Sequence, residues 1–392
     1  MSDAKDFKVA VVATVYRPTS HADVIVSRWL EPRPDDPDWG WPKPRSRIAS
    51  MYVDQVTEDD MSRDLAAKHG VSLHDTVSGA VRGADAVLLI GEHGDYPKNQ
   101  IGQILYPRKE LFDQIAAAFE EHGRVAPMFC DKHLSWNMDW ALQMDQTARD
   151  MGFVLFSSSS IPLCRRVPQI DLKNLGRIDE AVGVFFGPDE AYGYHGFEFV
   201  QAIIEHRAGG ETGVEAATVY RGADVWRQQS AGRWSKDLTE AALDATGKQD
   251  PAKLKGGDAQ VNCADHEPDG PIAVHLEYRD GTRITHLNLT GHTSNWSMAM
   301  RPAGRNETLA TAPNVDDGRH FHAHFATMSR TIEDALMANR PPFAPQRGLM
   351  TTGLTACTMN ARAKAGQRLP TPELNIVYNP RDLPVGFSLN DM

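Results

Sequence analysis

The sequence predicts an α/β protein of two domains, in which a Rossmann-like, doubly wound parallel sheet precedes an α+β domain with an open, mainly antiparallel sheet. The chain has 392 residues, more than one hydrophobic core usually holds. Its first part alternates strand-like apolar runs with segments of helical periodicity. From about residue 177 several strand-like segments follow one another more closely. We expect the boundary between residues 1–158 and 159–392.

The N-terminal part opens with a β-α unit. Residues 7–14 are apolar and β-branched, and residues 23–30 place apolar side chains at helical spacing. Residues 84–90 (ADAVLLI) form an uninterrupted apolar run, which is typical of a parallel strand covered on both faces. Further strands are predicted at 48–54 and 125–130, and further helices at 58–69 and 107–122.

The C-terminal part contains a hairpin signal. Asp280-Gly281 stands between two alternating segments, so we expect an antiparallel hairpin there. The segment 366–378 contains Pro370 and Pro372 and should run extended. The other predictions are strands at 181–186, 214–220, 272–278, 283–290 and 296–301, and helices at 193–206, 237–245, 318–338 and 347–365.

Composition and charge restrict the class of partner. The formal net charge is -11 and no long basic run interrupts it, so binding to nucleic acid or to an anionic membrane is not expected. The first residues lack the pattern of a secretory signal, and the four cysteines are widely spaced. We therefore expect a cytoplasmic protein whose partner is a small molecule or another subunit.

Three motifs in a consistent order resemble a known family. An apolar strand, a helix and a second strand lead to Cys-Asp-Lys-His at 130–133, and residues 193–198 read Gly-Tyr-His-Gly-Phe-Glu. A pair of helices between His320 and Arg368 ends in Ala-Gly-Gln-Arg-Leu-Pro at 365–370. Together these stretches resemble the Gfo/Idh/MocA family, the glucose-fructose oxidoreductase and inositol dehydrogenase type.

The resemblance implies an oxidoreductase that transfers a hydride between NAD or NADP and a sugar, cyclitol or related polyol. It assigns the dinucleotide to residues 1–158, and substrate binding and oligomerisation to residues 159–392. It also implies a homodimer or homotetramer that packs through the open face of the second sheet.

The nucleotide loop is where this sequence departs from the family. The G-x-G-x-x-G loop is replaced by residues 13–18, Ala-Thr-Val-Tyr-Arg-Pro, so all three glycines that admit a diphosphate are absent. This chain therefore resembles a divergent member of the Gfo/Idh/MocA family in which the nucleotide loop is degenerate. A guanidinium and hydroxyl groups can still hold phosphate at a helix start, or Ser20 can simply cap the helix. The candidate cofactor-binding residues are Thr14, Arg17, Ser20, Asp54, Glu92 and His93.

Hydride removal from a carbinol carbon needs a base and a group that steadies the developing oxyanion. By resemblance, Lys132 and His195 supply these functions, and Asp131 joins them in place of the glutamate of the family motif. The alternative is a surface lysine after a strand and a histidine that caps a helix. The candidate substrate-binding residues are Glu198, His133, His292 and Tyr96.

The segment 320–324, His-Phe-His-Ala-His, raises the possibility of a divalent metal. On a helix His320 and His324 share a face, and His195 from a facing surface could add a third ligand. No glutamate follows in an H-E-x-x-H pattern, and histidines satisfied by local hydrogen bonds explain the segment equally.

Two other function classes compete with the oxidoreductase. One is a non-redox lyase, hydratase or hydrolase on the same scaffold that no longer uses a dinucleotide, and the missing glycines favour it. The other is a ligand-binding or regulatory subunit, which the presence of both Lys132 and His195 disfavours.

Overall fold

The computed structural model describes residues 6–33, 43–247, 270–315 and 324–381. It confirms the predicted fold class. The first sheet has six parallel strands in the order β3-β2-β1-β4-β5-β6, so the chain reverses direction across the sheet between β1 and β4. Its strands are β1 Lys8–Ala13, β2 Arg47–Val53, β3 Ser72–Leu73, β4 Ala86–Ile90, β5 Met128–Asp131 and β6 Leu155–Ser158.

Helices cover both faces of this sheet, which explains why β4 is buried at all of its positions. The helix after β1 begins at His21, and the Ser20 side chain caps it by accepting a hydrogen bond from the Asp23 amide. The helices of this part are α1 His21–Leu30, α2 Ser62–His69, α3 Val77–Val81, α4 Arg108–His122 and α5 Met138–Met151.

The second sheet has eight strands in the order β14-β9-β10-β11-β8-β12-β13-β7. All neighbouring strands are antiparallel except β8 and β11. The predicted hairpin joins β10 to β11, with Gly281 at φ 89° in its turn. The strands are β7 Arg166–Val167, β8 Ile178–Phe185, β9 Val214–Arg221, β10 Ile272–Tyr278, β11 Arg283–Asn288, β12 Ser297–Pro302, β13 Leu309–Pro313 and β14 Leu369–Pro370.

The helices of the second part are α6 Ala191–Ile204, α7 Ala223–Ser230, α8 Lys236–Ala245, α9 His324–Met337 and α10 Pro345–Arg362. Helices α3, α5 and α7 were not predicted. Helix α3 has only five residues, and α7 buries only Val225. The first residues of the predicted helix 318–338 lie outside the described residues. Within the described ranges, no helix is both long and apolar enough to span a membrane.

The C-terminal helices tie the two sheets together. Helix α10 packs against α6 and β9 of the second part and against α5 and β6 of the first. Helix α9 contacts α1 and β5. Side chains of both parts therefore share continuous apolar clusters. Residues that follow β4 and β5 and residues at the start of α6 line the same cavity.

Candidate active site

A cavity of about 720 Å³ lies beyond the carboxyl ends of β4 and β5. This is the switch point between β1 and β4, where ligands of open α/β sheets bind. The first turn of α1, the start of α6 and the start of α9 complete its walls. Its polar and ionisable lining includes Thr19, His21, Glu92, His93, Lys132 and His195.

Lys132 follows β5 directly and has a left-handed backbone at φ 63°. Residues other than glycine rarely adopt this conformation, and when they do, it is often at a functional site. Its amide donates to the Ser158 carbonyl at 3.2 Å, and its Nζ lies 3.1 Å from Oε1 of Glu92. The buried ammonium group is thus held at the cavity wall by a carboxylate.

Glu92 is paired with two cations, Lys132 and Arg108, and all three side chains are buried. Burial alone would raise the pKa of the Glu92 carboxyl, but Lys132 and Arg108 hold that pKa well below its ordinary value. The carboxylate is therefore ionised at neutral pH. Its negative charge compensates the buried positive charges of Lys132 and Arg108, and they compensate its own.

His195 lies near the start of α6, and its Nδ1 is 2.5 Å from the Ser159 hydroxyl. Burial, followed by the charge of Lys132, holds the pKa of His195 well below its ordinary value. The imidazole is consequently neutral at neutral pH. With Nδ1 bonded to Ser159, Nε2 is the nitrogen left to exchange a proton with a ligand.

Asp131 ends β5 and is fully buried, so it does not line the cavity itself. Its Oδ2 lies 2.6 Å from Nδ1 of His21, which does line the cavity. Sequence reasoning missed His21. Its signal was a histidine directly after the Ser20 cap, three residues beyond the loop that replaces the expected glycines.

One wall of the cavity is aromatic. The rings of Tyr192 and Trp296 stack at 5.7 Å with an interplanar angle of 20°, and Phe186 lies 4.7 Å from Trp296. His195 contacts the edge of this cluster at 5.5 Å from Trp296. A flat apolar surface beside polar groups suits a ring that has one apolar face.

The four candidate substrate-binding residues do not line this cavity. Glu198 lies beneath it, where its carboxylate accepts hydrogen bonds from Ser158, Ser159 and Thr351. Buried His133 lies beside Arg108 and Tyr194, and His292 is buried in the turn after β11. Tyr96 lies at the outer edge and donates to Asp54 at 2.7 Å. Direct contact with a ligand in the cavity is therefore not supported for these four side chains.

Of the candidate cofactor-binding residues, only Glu92 and His93 line the cavity. The Thr14 hydroxyl donates to the Glu92 carbonyl at 2.8 Å and joins the ends of β1 and β4. Arg17 is half-exposed with Asp59 at 3.8 Å. Ser20 caps α1, and the exposed Asp54 accepts hydrogen bonds from Tyr52 and Tyr96.

The two ends of a bound dinucleotide would meet different surroundings. Val15 and Tyr16, which replace loop residues of the glycine motif, are fully buried. The amide of Thr19 donates to Asp23 at 2.9 Å, and the amide of His21 donates to Nδ1 of His93 at 3.4 Å. The cavity of about 720 Å³ has room for a nicotinamide ring, whereas a diphosphate at the start of α1 would have to displace these side-chain acceptors.

The possible metal site is not supported. Within the part of the chain that the structure describes, no three histidine, cysteine, aspartate or glutamate side chains are grouped as metal ligands would be. His195 and His324 both line the cavity, but His320 lies outside the described residues.

Several solved structures with a similar fold are described as dehydrogenases or belong to a biosynthetic pathway. GenD2 from gentamicin A biosynthesis, in complex with NAD, is 15% identical over 93% of this chain and 96% of its own, with a TM-score of 0.56. A probable dehydrogenase from Thermotoga maritima is 13% identical over 94% and 100%, with a TM-score of 0.56. The scyllo-inositol dehydrogenase from Lactobacillus casei is 10% identical over 94% and 99%, with a TM-score of 0.57.

No protein-family model and no curated protein sequence matches the chain. The likeness to solved structures extends over both sheets and almost the whole length of the chain. The chain therefore has the fold of the Gfo/Idh/MocA-type inositol and sugar dehydrogenases, as its motifs predicted.

Proposed function

We propose that the protein is an oxidoreductase that transfers a hydride between a nicotinamide cofactor, NAD or NADP, and a sugar, cyclitol or related polyol. The observation that carries the proposal is that Lys132 and His195 line one cavity at the switch point of the first sheet. The fold shared with inositol and sugar dehydrogenases supports the same class of reaction.

The cofactor supplies the hydride acceptor when it is bound. Lys132 then donates a hydrogen bond from Nζ to the reacting oxygen and stabilises the negative charge that develops there. His195 receives the hydroxyl proton at Nε2, because its lowered pKa keeps the imidazole neutral at neutral pH. Glu92 keeps the ammonium group in place through their 3.1 Å contact.

The cavity wall favours a polyhydroxylated ring as substrate. The stacked pair of Tyr192 and Trp296 offers a surface for the apolar face of such a ring. Lys132, His195 and His21 offer polar groups for its hydroxyls. A sugar or cyclitol presents both kinds of surface, whereas a long acyl chain would leave these polar groups without partners.

Thermal-shift titration with NAD and NADP, combined with an absorbance assay over a panel of sugars and cyclitols, tests the proposal. We expect stabilisation that grows with the logarithm of cofactor concentration. Lys132→Met and His195→Asn should each lower kcat/KM by about 10²- to 10⁴-fold. The control Lys68→Met removes an exposed lysine paired with Glu31 and should keep full activity.

Absence of stabilisation by either dinucleotide at millimolar concentration would overturn the proposal. That result would leave the non-redox lyase, hydratase or hydrolase as the reading of the same cavity.

We also propose a cytoplasmic homodimer or homotetramer that packs through the second sheet. Helix α8 covers part of one face of that sheet, with Trp234 buried beneath it, so the interface would include the outer side of α8 but not Trp234. Cys130 and Cys357 are buried free thiols, which supports a reducing compartment. Light scattering coupled to size-exclusion chromatography should give two or four times the 43.3 kDa chain mass. A monomer would contradict the assembly.

A further inference from the structure

A buried histidine–carboxylate pair joins the start of α1, which lines the cavity, to the end of β5. We propose that His21, positioned by Asp131, is a second base of the cavity and removes a proton from the carbon next to the ketone that hydride transfer produces. The enzyme would thus catalyse enolisation as well as oxidation. This inference rests on the proposed function for its substrate class.

The surroundings of His21 fix which nitrogen can accept a proton. Its Nδ1 lies 2.6 Å from Oδ2 of the fully buried Asp131. Because a carboxylate can only accept, Nδ1 carries the hydrogen, and in the neutral form of the ring Nε2 presents its lone pair. Among the described residues Nε2 has no hydrogen-bonding partner, and the ring lines the cavity.

Packing holds the ring in this orientation. Phe325 meets it edge-on at 5.3 Å and 82°, and His93 lies 5.2 Å away on another side. The residue is also fixed at the first position of α1, directly after the Ser20 cap. A base held in this way needs little reorganisation when the reaction occurs.

His195 differs from His21 in the partner of its Nδ1. The Ser159 hydroxyl can donate to that nitrogen or accept from it, so His195 can exchange a proton in either direction. Asp131 permits only the tautomer of His21 that accepts at Nε2. Hydride transfer requires a single proton acceptor, a role assigned above to His195, so His21 is available to accept a second proton.

The ketone formed by hydride transfer supplies that proton. The bond between the adjacent carbon and its hydrogen breaks, and its electron pair forms a double bond to the carbonyl carbon. The π pair of the carbonyl moves onto its oxygen, and the proton goes to Nε2 of His21. Lys132 stabilises the resulting enolate oxygen, and Asp131 offsets the charge of the imidazolium. Return of the proton restores the ketone, so the step is balanced without a further reactant.

Deuterium exchange tests this step separately from hydride transfer. The wild-type protein is incubated with a ketocyclitol in D₂O without dinucleotide, and loss of the signal of the adjacent carbon-bound hydrogen is followed by NMR. We expect exchange that His21→Gln lowers by about 10²- to 10⁴-fold. The control His69→Gln alters the His69–Glu31 pair outside the cavity and should leave exchange unchanged.

The tautomer provides a second measurement that does not depend on turnover. Imidazole ¹⁵N shifts of His21, assigned by their loss in His21→Gln, should show hydrogen on Nδ1, and Asp131→Asn should shift hydrogen toward Nε2. Hydrogen on Nε2 in the wild type, or exchange no faster than in His21→Gln, would overturn the inference. Exchange without dinucleotide binding would instead support this step and contradict the proposed oxidoreductase.

Discussion

The crevice beyond the first sheet is open at one end and filled by side chains at the other. At one end Lys132, His195 and His21 line an open cavity between the two sheets. At the other end the loop after β1 is closed by Val15 and Tyr16, which are fully buried. One end is built for a ligand, and the other is filled by the chain itself.

The difference shows that a reaction site and a cofactor cradle in this fold are independent features. The reaction end depends on groups at the ends of β4 and β5, which are stabilised by buried ion pairs. The cradle depends on small residues that leave room for a diphosphate, and these have been replaced. Variants at the two ends should therefore have separate effects.

The largest effect on stability is expected from a substitution of Arg108, a fully buried cation at the reaction end. Arg108→Met removes a fully buried cation from Glu92, whose carboxylate is then left with Lys132 alone. Loss of one partner of a buried ion pair typically lowers the free energy of unfolding by about 3–5 kcal/mol. Urea denaturation measures the loss.

Arg82→Met is the matched control, because Arg82 pairs with Glu121 on the surface and both side chains are mostly exposed. It should change the free energy of unfolding by no more than about 0.5 kcal/mol. Equal losses in the two variants would mean that the buried charges do not stabilise the reaction end.

A smaller, pH-dependent effect is expected at Glu190, directly before α6. Burial raises the pKa of Glu190 from 4.5 to about 7, although the Ile104 amide donates to it. Between these values the folded protein holds a proton that the unfolded chain releases, so stability falls as pH rises. Wild type should therefore lose roughly 1–3 kcal/mol relative to Glu190→Gln between pH 5 and pH 8.

Denaturation curves at the two pH values check this difference, and buried histidines cancel because both proteins contain them. Glu110→Gln, at an exposed position of α4, should follow the wild type at both pH values. A wild type that becomes more stable than Glu190→Gln as pH rises would contradict the raised pKa.

The sequence predicted the fold class and the presence of both sheets. The run at 84–90 and the Asp280-Gly281 turn led to β4 and to the β10–β11 hairpin, because periodicity and turn chemistry are local properties. Helix α7 was not predicted from the sequence, and it buries a single residue. Its position is determined by the sheet beneath it.

The site was only partly predictable for a related reason. Lys132 and His195 each lie within a short sequence motif, so both could be identified from the sequence, and both line the cavity. Glu198 stands one turn after His195, yet its carboxylate points to Ser158 and Thr351. The pairing of His21 with Asp131 joins residues 110 positions apart, and spacing along a chain does not reveal such a contact.

The smallest expected effect concerns the filled end. Asp23 accepts hydrogen bonds from the Thr19 amide and the Ser27 hydroxyl and places negative charge at the start of α1. Asp23→Ala frees that amide and removes the charge, which is worth about 0.3–1 kcal/mol at a helix N-terminus. The Kd for NAD should therefore fall by about twofold to fivefold in calorimetric titration, at some cost in stability. Asp64→Ala, in the first turn of α2, removes a comparable charge far from the cavity and should leave that Kd unchanged. Unchanged affinity in a folded Asp23→Ala protein would mean that a diphosphate does not bind at the start of α1, and the difference between the two ends would then be complete.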